Sequence, residues 1–173
     1  MNRRALLTRI VQTFSITGLG FVAYPFLKAW IPKFKEDRSK EIDLSDLEPG
    51  DSRIVRWLGR NIYVQKRTPD TILGLAQNLQ QLKDPESKQS QQPDFARGNS
   101  RSLRPDIFIT YTNCTHLGCE VFADKSAFKC PCHQSDYDAA GRVLEGAAAP
   151  INLEIPHYQF ISGNIVRLEI LET

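Results

Sequence analysis

Cys114, His116, Cys119, Cys130, Cys132 and His133 include every cysteine of this 173-residue chain and two of its three histidines. They stand in two runs, Cys114-Thr115-His116-Leu117-Gly118-Cys119 and Cys130-Pro131-Cys132-His133-Gln134-Ser135. Thiols and imidazoles crowded into one stretch point to a metal site before a disulfide scaffold. Structural zinc takes four ligands, usually from C-x2–4-C and H-x3–5-H pairs. Here the pairs are C-x-H and C-x-x-H, mixed within each run, which fits zinc poorly. A [2Fe–2S] centre with two thiolates on one iron and two imidazoles on the other fits better, each run giving one of each. One cysteine per run is then left over, and those two can form a disulfide. Spacing alone does not decide which cysteines are the ligands.

The flanking sequence supplies elements able to hold such loops. Ile107 to Thr112 is a β-prone run leading straight into the first cysteine. Gly118 and Pro131 suit tight loops. Arg53 to Trp57 and Ile62 to Lys66 predict a hairpin around Leu58-Gly59-Arg60-Asn61, and Tyr158 to Ile161 with Ile165 to Leu171 predict another. Between them a helix is predicted, with Thr68 as its cap and Pro69 at its first position. Ile72, Leu75, Ala76, Leu79 and Leu82 would form its core-facing stripe. Asp84 to Arg101 is polar, carries Pro85 and Pro93, and reads as a surface loop. The chain is thus predicted to be mainly β, with one helix and long loops in its main domain.

The amino-terminal part differs. Arg3, Arg4 and Arg9 precede an uncharged run from Ile10 to Leu27, which as a helix would span about 27 Å, enough for a bilayer core. Tyr24 and Trp30 suit the membrane interface. The domains expected are a single-pass anchor at 1–32 with a twin-arginine-like start, a charged hinge linker at 33–41, and a head at 42–173. Lysines 28, 33 and 35 follow the span, so charge alone does not orient it. The net charge of +2 and the lack of a basic stripe argue against a nucleic-acid partner.

The two cysteine–histidine runs together resemble the Rieske iron–sulfur proteins. The likeness to the Rieske subunit of the quinol–cytochrome c reductase (cytochrome bc) complex extends through the anchor, Ile42 to Gly50, Arg67-Thr68-Pro69, Ser102-Leu103-Arg104-Pro105 and Asn152-Leu153-Glu154-Ile155-Pro156. It implies an antiparallel β-sandwich head with a small cluster-binding subdomain at about 106–150. It also implies one [2Fe–2S] cluster per chain, with Cys114 and Cys130 on one iron, His116 and His133 on the other, and a Cys119–Cys132 disulfide. Ser135 and Tyr137 match positions that hydrogen-bond the cluster and raise its potential. Leu117 resembles the apolar residue that docks against the quinol site, and His133 and His116 would meet the quinol there. Two departures stand out: Gln134 replaces a glycine common in respiratory members, and Gly146-Ala147-Ala148-Ala149-Pro150 keeps only the last proline of a cluster-covering loop. Fewer prolines predict a less rigid loop.

By the same resemblance the partners would be cytochrome b and cytochrome c-type subunits, membrane quinol and the lipid bilayer, within a dimeric complex. A disulfide persists outside reducing compartments, so the head is expected on the periplasmic side of a bacterial inner membrane. A Rieske oxygenase would need a further iron with two histidines, and only His157 is left. His157 lies outside both runs and reads as an ordinary side chain.

Overall fold

The structure is a computed structural model and describes residues 2–30, 38–90, 92–124 and 127–170. It divides at Asp37 into two units. The first holds helix α1, Arg3–Trp30, which is long and apolar enough to cross a membrane and buries none of its residues within the chain. Thr8, Thr13 and Thr17 donate their hydroxyls to carbonyls one turn back, which satisfies them without water. Of the expected linker, 33–37 lie outside the described residues, while Lys40 and Glu41 already belong to strand β1, Lys40–Asp43.

The second unit contains three antiparallel sheets among the described residues. β1 pairs with β9 (Ile165–Glu169), which pairs with β8 (His157–Ser162). β2 (Ser52–Trp57), β3 (Arg60–Lys66) and β4 (Ile107–Tyr111) form the second sheet. β5 (Phe122–Asp124), β6 (Ala127–Lys129) and β7 (Asp136–Tyr137) form the third. The β2–β3 connection is tighter than the four residues expected. Trp57 pairs with Arg60 across a two-residue turn in which Leu58 and Gly59 both have positive φ, the geometry that matches strand twist.

β4 is buried along its whole length because both faces are covered. Alternation sets Ile62, Val64, Ile107 and Ile109 on one face and Tyr63 and Phe108 on the other. The first set joins Ile42, Val166 and Leu168 of the β1–β9–β8 sheet, and Leu44 just past β1, in one buried cluster. The second carries Phe128 of β6, whose ring meets Tyr63 edge-on at 5.1 Å and Phe108 at 6.0 Å. That contact seats the small third sheet on the larger β framework.

Two further sequence expectations are corrected. The helix α2 spans only Pro69–Gly74, capped by Thr68 as expected. Its continuation stops because the Leu75 carbonyl accepts from the Arg142 guanidinium and Asn78 turns left-handed at φ 56. Leu75 and Leu82 are buried as predicted, but Ala76 is exposed. The segment Asp84 to Arg101 is not merely a surface loop, since Asp84, Ser87, Ala96 and Arg101 are all buried. Asn152 explains part of this, as its Nδ2 donates to the Asp84 carbonyl and the Ser87 hydroxyl.

Three buried arginines hold the turn that follows β7. Arg67 donates to the carbonyls of Ser100, Pro105 and Ala139. Arg101 donates to Ala140, Gly141 and Leu153 carbonyls and to the Gln92 side chain. Arg142 pairs with Asp138 and reaches Leu75. Burial pulls the guanidinium pKa down to about 10 for Arg67 and about 9 for Arg101, with Asp138 opposing, so both stay charged at neutral pH.

Candidate metal centre

The first cysteine–histidine run forms a loop leaving β4. Cys114 N–H donates to the Cys119 carbonyl at 2.7 Å and Gly118 N–H to the Cys114 carbonyl at 2.9 Å. Gly118 sits at φ +79, a conformation that a side chain would strain. The second run links β6 to β7, closed by Cys130 N–H on the Ser135 carbonyl at 2.8 Å. Gln134 has φ 53, which explains why glycine suits that position and shows that glutamine is held there under some strain.

A Cys119–Cys132 disulfide ties the loops together. Cys114 and Cys130 remain free thiols, both buried. The sulfurs of Cys119, Cys130 and Cys132 lie within 4.8 Å of one another. Two of those three are consumed by the disulfide and offer no thiolate, so this trio is not itself a three-sulfur metal site. The imidazoles of His116 and His133 meet at 4.7 Å between centroids. His116 Nδ1 is buried without a hydrogen-bond partner, an orphan that a metal would satisfy. The thiols thus lie at the protein end of the loop pair, whereas His133 and Leu117 are exposed at its tip. His157 lies apart, on β8.

The thiol end is set up for negative charge. Burial pushes the Cys114 pKa up, but hydrogen bonds from the Tyr137 hydroxyl, the His116 backbone, Cys130 and the Leu117 backbone outweigh it, and the net shift is downward. Tyr137 Oη lies 3.2 Å from Cys114 Sγ and from Thr115 Oγ1. Thr115 gives its hydroxyl proton to the Ile151 carbonyl at 2.6 Å and its N–H to Tyr137 Oη at 3.3 Å, which leaves the single phenol proton for the Cys114 sulfur. Burial and the neighbouring thiol raise the Tyr137 pKa, which keeps that proton in place. Ser135 is fully buried, and its Oγ accepts from Ala149 N–H at 2.9 Å. The sequence singles out both Ser135 and Tyr137; it does not single out Thr115, because its contacts with Tyr137 and Ile151 form only across the fold.

A cavity of about 800 Å³ opens elsewhere, between α2 and the third sheet, lined by Asp70, Asp124, Lys129 and Asp136 among others. It contains none of the cysteines or histidines.

This arrangement can be set against known proteins. The Rieske [2Fe–2S] domain family matches residues 39–159. The ubiquinol-cytochrome c reductase iron-sulfur subunit of Allochromatium vinosum is 32% identical over 179 residues, covering 95% of this chain and 86% of that one. The chain belongs to the family of Rieske subunits of the cytochrome bc complex. The corresponding subunit of Rickettsia conorii is 38% identical over 134 residues, covering 75% of this chain and 71% of that one. A solved chain of a hyperthermophilic respiratory complex III shares the fold, with a TM-score of 0.51, 24% identity, and coverage of 92% of this chain and 97% of that one. As a Rieske subunit the chain is an oxidoreductase component, its domain implies a [2Fe–2S] cluster, and helix α1 suits membrane anchoring. The donor set fits that cluster: two free buried thiols, two neighbouring imidazoles and an orphaned buried ring nitrogen.

Proposed function

We propose that this chain is the electron-accepting subunit of a quinol–cytochrome c reductase, with Cys114 and Cys130 binding one iron and His116 and His133 the other. The observation that carries this reading is the sorting of donors, thiols buried and an imidazole exposed, on two loops joined by a disulfide. When bound, one [2Fe–2S] cluster per chain supplies a one-electron couple. The protein's own groups do the rest. The exposed His133 ring would hydrogen-bond a quinol and take its proton, with His116 beside it. Leu117, 71% exposed at the same tip, presents an apolar contact for the subunit that holds the quinol. Tyr137 supplies a hydroxyl donor to the Cys114 sulfur, and Ser135, whose Oγ accepts from Ala149 N–H, keeps its own proton to give; both would favour the more negative reduced state and so a high potential.

The partners on this reading are cytochrome b and a cytochrome c-type subunit in a dimeric complex, with membrane quinol as donor. The chain would sit in a bacterial inner membrane with its head periplasmic, where the disulfide endures. The head would move between quinol and haem on the tether that precedes β1, within residues 33–39 of the expected linker. Shortening that tether should slow turnover without altering the cluster's spectrum. The deciding experiment is electron paramagnetic resonance of the dithionite-reduced full chain loaded with iron and sulfide. A rhombic [2Fe–2S] signal that is lost in Cys114→Ser is expected. Absence of that signal from the unsubstituted, correctly metallated chain would refute the ligand set.

A further inference from the structure

The loop from Gly146 to Pro150 lies against the buried Ser135, and one side chain from a distant segment holds it there. Lys83 Nζ donates to the Ala147 carbonyl at 2.6 Å and to the Ala149 carbonyl at 3.0 Å. Those carbonyls belong to the peptide groups on either side of the 148–149 peptide. The N–H of that middle peptide is the one that donates to Ser135 Oγ. Clamping both neighbours leaves the middle group little freedom to rotate away, because each peptide unit is planar and only φ and ψ can move it.

The clamp is itself anchored. Lys83 N–H donates to the Val143 carbonyl, Leu82 bridges Leu144, and Glu145 N–H donates to the Gln81 carbonyl. On the other side Asn152 Nδ2 holds the Asp84 carbonyl. The backbone of Lys83 is therefore fixed at both flanks, and its stem crosses directly to the loop. Among the described residues its ammonium forms no ion pair, and two of its three N–H donors are spent on this one loop. The expected looseness of a proline-poor segment is countered here by a charged hydrogen-bond bracket, and Ala149 is fully buried.

We propose that Lys83 is a positioning residue for the cluster's redox potential, acting through Ala149 and Ser135. With Ala149 N–H fixed on its oxygen, the Ser135 hydroxyl has its hydrogen left over for the group that the two loops hold. Release of the loop frees that hydroxyl to turn, and the reduced state loses a donor. This inference rests on the cluster reading above.

The test is a redox titration of the full-length, cluster-loaded protein, followed by electron paramagnetic resonance, combined with amide hydrogen exchange of residues 147–149. Lys83→Met should lower the midpoint potential, and Lys83→Arg should restore it. In a Ser135→Ala background Lys83→Met should cause no further shift. Exchange at Ala149 should quicken by about tenfold, as expected for loss of a charge-assisted hydrogen bond. Should Lys83→Met fail to retain the cluster, Lys83→Gln, which still donates to one carbonyl, is expected to give a smaller shift of the same sign. An equal shift with and without Ser135 would show a through-space charge effect and overturn the proposal. A potential unmoved by every Lys83 variant would overturn it too. Absence of a [2Fe–2S] signal from the unsubstituted protein would instead be the failure of the preceding reading.

Discussion

Replacing Arg101 with methionine should destabilise the head by about 3 kcal/mol. The guanidinium is fully buried and donates to the carbonyls of Ala140, Gly141 and Leu153. The Gly141 carbonyl keeps a second partner, the Leu153 N–H at 2.8 Å. The other two would be left buried without that donor, at about 1–3 kcal/mol each, or about 2–6 kcal/mol together. Methionine fills part of the volume and removes the cost of burying a cation, which returns a share of that loss. The net figure of about 3 kcal/mol corresponds to a fall in Tm of about 10 °C for a domain of this size. The site has no slack to absorb the change, since a Cβ on Gly141 would already meet Leu153 Cβ at 3.1 Å and Arg101 Nη1 at 3.3 Å. Near-ultraviolet circular dichroism of the full chain during heating reads the melt directly. Arg101→Lys should fall between the two, because an ammonium reaches fewer of the carbonyls. A methionine variant melting within about 2 °C of the parent would refute the assignment of these bonds as structural.

Three further outcomes are expected. Gln134→Gly should raise stability in urea by about 0.5–1 kcal/mol, because it relieves a positive φ, and a loss of stability would count against strain at that turn. Cys132→Ser, which breaks the disulfide closing 13 residues of chain, should cost about 3 kcal/mol and lower the spin count per chain after mild heating. Asp106 accepts from Arg104, which holds its pKa below the ordinary 3.8. A carboxylate with a depressed folded pKa stabilises above its unfolded pKa, and that stability is lost as pH falls through the folded value. The Asp106→Asn penalty, about 0.5 kcal/mol for a partly exposed pair, should therefore be full at neutral pH and vanish in acid. A penalty unchanged between pH 7 and strongly acidic urea titrations would rule this out.

The donor chemistry of this protein was written locally. Two runs of cysteine and histidine, a β-prone lead-in at Ile107 and a glycine at 118 are each legible within a few residues, as are Thr68 at its cap and the apolar run of α1. These features depend on spacing and on backbone preference, which travel with the sequence itself. What partners a side chain finds across the fold does not. Spacing left four cysteines interchangeable until the loops were laid side by side and Cys119 met Cys132. Periodicity predicted a longer helix because it could not register that Arg142 takes the Leu75 carbonyl from 67 positions away. Polar composition made Asp84 to Arg101 look like surface, although the carbonyls that bury Arg101 lie 39 to 52 positions along the chain. Lys83 is the same case, an ordinary charged residue in sequence whose 64- and 66-residue reach to Ala147 and Ala149 exists only in the folded chain. The kind of donor available follows from residue type, whereas which cysteines bridge and which hydrogen bonds orient the free thiols depend on remote backbone segments, so only tertiary structure could decide them.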